Sequence, residues 1–112
     1  MTMQLPEMIT RLPEADLPFP PEVLRTSVLQ SPHGQLVFFQ IFQDIEIPPH
    51  SHKGQWGIVL DGELEMTVGG QTRKYRKGDA YYIPPGVVHS AKVPAGCKAI
   101  DFFEEPDRYK IK

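Results

Sequence analysis

Proline and glycine leave this chain almost no room for helices. Twelve prolines and nine glycines are spread over 112 residues. The longest stretch free of both runs from Gln35 to Ile47, thirteen residues, and the next from Glu22 to Ser31, ten. An interior proline costs a helix roughly 3 kcal/mol, and globular helices usually need about 8–20 residues. Half of the prolines (Pro6, Pro13, Pro18, Pro20, Pro21 and Pro32) fall in the first 32 residues. That region reads as an extended arm with turns.

From about Ser31 the chain reads as short strands with punctuation. Gln35 to Phe42 is rich in Val, Phe and Ile, and Asp44 to Ile47 alternates polar and apolar residues until Pro48-Pro49 breaks it. Trp56 to Leu60 runs into Asp61-Gly62, and Glu63 to Val68 into Gly69-Gly70. Both dipeptides suit tight connections that need a positive φ. Gln71 to Arg76 is the return strand of the second hairpin. Ala80 to Ile83, Val87 to Val93 and Lys98 to Phe103 complete the set. Strands at this spacing, without long helices, predict an all-β sandwich or barrel.

Composition narrows the function classes. The chain has the size of one domain, and 40% apolar residues with six Phe, four Tyr and one Trp can bury a core. A net charge of -2 argues against a nucleic-acid partner, which usually meets a basic stripe. Nothing approaches the roughly 20 apolar residues that cross a bilayer, and the N-terminus has no continuous apolar segment of the secretion-signal kind. The single cysteine, Cys97, excludes an intrachain disulfide framework. The expectation is a cytoplasmic domain that binds a small molecule, with neither nucleic acid nor membrane as partner.

The histidines carry the chemistry. His50 and His52 are two apart, so on a strand they share a face and make half of a metal site. The bland alternative is a pair of hydrogen-bonded surface histidines. A third, His89, behind the Pro84-Pro85-Gly86 turn, tilts the reading toward a metal. Imidazole donors suit zinc, iron, nickel, copper or manganese. His33, between Pro32 and Gly34, reads as a surface turn residue.

This pattern resembles the cupin superfamily, in its small single-domain RmlC-like form. Gly78, Pro84, Gly86 and His89 match the second cupin motif, and His50, His52 and Gly62 the first, with fifteen residues between the two motifs. The resemblance implies a double-stranded β-helix, the jelly-roll barrel, over 31–112. By the same resemblance residues 1–30 are expected to form an N-terminal arm whose strands serve dimerisation, in a homodimer with Leu5 to Val28 in the contact. It also implies that His50, His52 and His89 bind a divalent ion (Fe, Mn, Ni, Zn or Cu). Two departures are Asp44 for the leading glycine and Val93 for the closing asparagine.

A third departure concerns charge. The acidic-ligand position is Gln55, which follows His52 more closely than in the family pattern. A glutamate would cancel one of the metal's charges. A glutamine carbonyl cancels none, which strengthens the Lewis acid and favours an anionic chelating ligand. In the alternative, Gln55 points away and the metal has three protein ligands.

Candidate catalytic groups are Tyr81, Tyr82 and Asp101. The tyrosines alternate faces, so one of them enters the barrel. The implied function is a metal-dependent enzyme acting on a small anionic chelating substrate. It is either dioxygenase-like, an oxidoreductase, or isomerase- and cyclase-like. The alternative is a non-catalytic small-molecule-binding or sensing cupin. Trp56, on the face opposite Gln55, is expected in a subunit contact.

Overall fold

The computed structural model describes residues 3–112. Among these, one helical turn, α1 (Glu7–Thr10), precedes nine strands. They are β1 (Leu24–Ser31), β2 (Gly34–Ile41), β3 (Ile45–His50), β4 (Gln55–Asp61), β5 (Glu63–Val68), β6 (Gln71–Arg76), β7 (Ala80–Ile83), β8 (His89–Val93) and β9 (Lys98–Phe103). A five-stranded sheet runs β1-β2-β9-β4-β7 and a four-stranded sheet β3-β8-β5-β6. Every pairing is antiparallel. This all-β architecture is what the strand spacing predicts, and it takes the jelly-roll form that the cupin resemblance implies.

Alternation sorts the side chains. On β9, Ala99, Asp101 and Phe103 are buried while Ile100 and Phe102 are not. Val59, Tyr81 and Ile83 of the first sheet meet Leu64, Met66 and Val93 of the second in one core. The β5–β6 hairpin turns on Gly69 and Gly70, whose φ values of 57° and 83° few side-chain-bearing residues would adopt.

Two local features depart from the sequence reading. Pro48-Pro49 does not end a strand, because β3 continues through both prolines to His50. It can do so as an edge strand, paired with β8 alone, where missing N–H donors cost little. The register passes from Ile47↔Ala91 to His50↔His89, so β3 holds one residue more than β8. That bulge sets His50 directly opposite His89.

The second departure lies in the proline-rich first 30 residues, where β1 is a full barrel strand paired with β2 from Leu24↔Ile41 to Ser31↔Gly34. The residues before it fold against their own barrel. Val28 N–H donates to the Pro13 carbonyl (2.8 Å) and Ala15 N–H to Thr26 Oγ1 (2.8 Å). Leu17 and Phe19 pack onto the core. The C-terminal segment pairs with the same stretch, Asp16 N–H to the Lys110 carbonyl (2.7 Å) and Lys112 N–H to the Glu14 carbonyl (2.8 Å).

Candidate metal centre

His50, His52 and His89 converge at one end of the barrel. Their ring centroids are 4.2 to 5.2 Å apart, and one ligand nitrogen from each lies within 4.8 Å of the others. They do not converge by sharing one strand. His50 closes β3, His89 opens β8, and His52 stands in the loop before β4. Gly86 N–H donates to the His52 carbonyl (2.9 Å), tying that loop to the Pro84-Pro85-Gly86 turn.

Hydrogen bonds choose the tautomer. Nδ1 of His50 faces the Pro48 carbonyl (2.9 Å), Nδ1 of His52 the Lys53 carbonyl (2.6 Å), and Nδ1 of His89 the Val87 carbonyl (2.9 Å). A carbonyl only accepts, so each Nδ1 carries the hydrogen and each Nε2 keeps its lone pair. Nε2 of His52 and His89 then oppose each other at 3.1 Å, lone pair to lone pair. A shared cation would resolve that repulsion. Two nitrogens each about 2.1 Å from one ion, at right angles, are about 3 Å apart, so the donor set fits a divalent metal. Burial lowers the pKa of both His52 and His89, and the charge of Arg108 acts in the same direction. Both are therefore neutral, as ligands must be, at neutral pH.

Beneath the histidines lies a polar cluster in an otherwise apolar cavity of about 130 Å³, which Gln55, Tyr81, Asp101 and the three histidines all line. Asp101 Oδ1 accepts from Tyr81 Oη (2.7 Å) and from Gln55 Nε2 (2.8 Å). Gln55 is thereby anchored through its nitrogen, and Oε1 is the end it can turn toward a cation. Burial raises the Asp101 carboxyl from 3.8 to about 6, with the Gln55 and Tyr81 hydrogen bonds pulling the other way. Burial and the Asp101 charge hold the Tyr81 hydroxyl well above its ordinary value, so it stays a donor.

Gly57 makes the cluster possible. It pairs with Tyr81 on one side and Asp101 on the other. A Cβ there would collide with Asp101 Oδ1 and the Tyr81 ring. Without a side chain on β4, the Tyr81 hydroxyl crosses that strand to reach Asp101.

Tyr82 is not part of the site. It is 61% exposed on the outer face, opposite Trp56. Sequence reasoning passed over two residues of the C-terminal segment. Tyr109 lines the cavity, and the Arg108 guanidinium lies 4.5 Å from the Tyr109 ring centre and 5.6 Å from that of Phe103. No periodicity marks Glu104 to Lys112. The one cue is Gln35, a polar residue inside a strand, which is fully buried and clamps the segment. Its Nε2 donates to the Tyr109 carbonyl (2.9 Å), and its Oε1 accepts from Tyr109 N–H (3.1 Å).

Comparison with known proteins agrees with this architecture. The profile of one family, described as the cupin domain, matches residues 42–103. A curated protein named H2HPP isomerase, from Bacillus subtilis, is 50% identical over 48 residues, 41% of this chain and 20% of that protein. The matched stretch is thus about a fifth of that relative's length. The structure of an RmlC-like cupin from Shewanella frigidimarina superposes with a TM-score of 0.73 at 28% identity, covering 88% of this chain and 86% of that one. KdgF from Halomonas sp. superposes at 0.68 and 23% identity, over 84% and 87%. The KdgF likeness is one of fold.

Proposed function

The chain belongs to the cupin family, and on that premise we propose that it is a metal-dependent enzyme of the isomerase or cyclase kind, moving a proton within a small, anionic, chelating substrate. The observation that carries this reading is a buried carboxyl, Asp101, raised to about 6 inside the cavity that the three histidines face. A carboxyl ionising near neutral pH both takes and returns a proton. In the forward step, Asp101 removes a proton from carbon beside a substrate carbonyl, and the electron pair passes to the carbonyl oxygen. As the carbonyl re-forms, the electron pair moves through an adjacent C=C bond, and the protonated Asp101 delivers the proton to the far carbon of that bond, which shifts by one position. Tyr81 and Gln55 hold Oδ1 in place throughout and favour its charged form. His50, His52 and His89, with the Gln55 carbonyl, are the residues that would hold the ion, whose contribution is Lewis-acid stabilisation of the substrate oxyanion. The name of the Bacillus subtilis relative is of the same reaction class.

A cavity of about 130 Å³ limits the buried part of the substrate to roughly the size of benzene. The barrel is further proposed to work as a homodimer. Leu29, Leu36, Phe102, Trp56 and Tyr82 lie in register as one apolar row across the outer face of the five-stranded sheet. Burial against a second copy would remove that row from water.

Elemental analysis of untagged protein, with proton NMR of pyruvate in deuterium oxide, tests the reading. Near-stoichiometric zinc or nickel is expected, lost in His52→Ala. Methyl-proton exchange is expected as well, slowed about 100-fold or more in Asp101→Asn. Pyruvate binding without exchange would point instead to the non-catalytic binding barrel. Iron with oxygen uptake would point to the dioxygenase-like chemistry.

A further inference from the structure

Arg108 stands out as a cation without a partner. Its Nε is buried and meets no hydrogen-bond acceptor, and among the described residues its guanidinium forms no salt bridge. Asp107, next to it in sequence, forms no salt bridge with it, and two further carboxylates are engaged elsewhere. Glu104 Oε1 accepts from Gly54 N–H (2.7 Å) and Glu105 Oε1 from Lys53 N–H (3.0 Å).

The guanidinium is nevertheless held in place. The Tyr109 and Phe103 rings pack against it, and Phe103 in turn meets the His52 ring edge-on at 5.7 Å. Gln35 fixes the Tyr109 backbone through two hydrogen bonds. The guanidinium packs on two rings that line the cavity, and its two terminal nitrogens, without a hydrogen-bond acceptor among the described residues, offer a two-pronged fork for a planar oxyanion.

We propose that Arg108 is the substrate anchor and that it selects a carboxylate, binding it at the rim while the rest of the molecule reaches the histidines and Asp101. A carboxylate matches the single planar fork. A phosphate would call for several donors, and the structure offers it neither a glycine-rich turn nor a second arginine here. The proposal deepens the enzymatic reading by naming the substrate class, and its test is independent of metal.

The test is NMR titration of metal-free protein at pH 8 with lactate and with lactamide, its uncharged counterpart. Lactate is expected to bind in the millimolar range and to move the amide signals of Phe103 and Tyr109, with lactamide weaker by about tenfold. Arg108→Gln is expected to lose about tenfold in lactate affinity and to bind the two probes alike, while zinc stoichiometry is unchanged. Arg108→Lys, which keeps the charge and much of the packing, is expected to weaken lactate several-fold. It serves as the readout if the glutamine variant fails to fold. Equal binding of lactate and lactamide by the wild type, or unchanged lactate affinity in either folded variant, overturns the anchor. Loss of zinc binding in the wild type with Arg108-dependent lactate binding intact would count against the metal-enzyme reading alone.

Discussion

Asp101→Asn should stabilise the protein while abolishing the proton transfer proposed for it. Asp101 is 4% exposed and burial raises its carboxyl from 3.8 to about 6. Between those values the folded chain holds a proton that the unfolded chain releases. Its contribution to stability is therefore full below pH 3.8 and is lost as pH rises through about 6. At about 1.4 kcal/mol per tenfold change in proton affinity, the loss above that window is about 3 kcal/mol. Asparagine is neutral at every pH, and its carbonyl can accept the same bonds from Tyr81 and Gln55. The variant should match the wild type near pH 4 and exceed it by up to about 3 kcal/mol at pH 8. The assay is urea unfolding of metal-free protein, followed by circular dichroism at one fixed concentration from pH 4 to pH 8. Burial lowers the pKa of His52 and His89, so these groups oppose the Asp101 trend by losing stability as pH falls below their unfolded pKa. The informative quantity is therefore the variant-minus-wild-type difference at each pH. A difference that stays constant from pH 4 to pH 8, or a variant less stable at pH 8, would refute the reasoning.

Two more substitutions probe the framework. Gly57→Ala places a methyl group against Asp101 Oδ1 and the Tyr81 ring, so unfolding should show a loss of about 1–3 kcal/mol, and pyruvate proton exchange should fall with it. An alanine variant as stable and active as the parent would mean that the Tyr81–Asp101 contact is not set by this glycine. Trp56→Glu puts a charge in the middle of the outer apolar row, where Trp56 is 46% exposed. Sedimentation at micromolar concentration should show a dimeric wild type and a monomeric variant of unchanged fold. A monomeric wild type would remove the dimer.

Much of the architecture could be read locally. Proline and glycine placement excluded long helices, and the alternation in segments such as Lys98 to Phe103 marked strands, because φ limits and side-chain period act over a few residues. The H-x-H pair and the glycine–proline–glycine–histidine spacing likewise named three histidines that the fold brings together. Local rules reached their limit at Pro48-Pro49, where a proline pair normally ends a strand. Only its place at a sheet edge lets β3 continue, and the resulting bulge sets His50 against His89. His52 reaches the cluster from a loop, not from the strand that a two-residue spacing suggests.

The rest of the site belongs to the tertiary structure. Asp101 is 46 residues from Gln55 and 20 from Tyr81, and both contacts exist because β9 and β7 flank β4 in a register that puts Gly57 between them. Gln35 clamps Tyr109 from 74 residues away and so positions Arg108 beside it. The chain thus carries its strands and its metal donors in short-range pattern. Which carboxyl is buried beside those donors, and which cation packs on the cavity's aromatic rings, is decided by strand order and register. These follow from packing two whole sheets together, and no local preference encodes them.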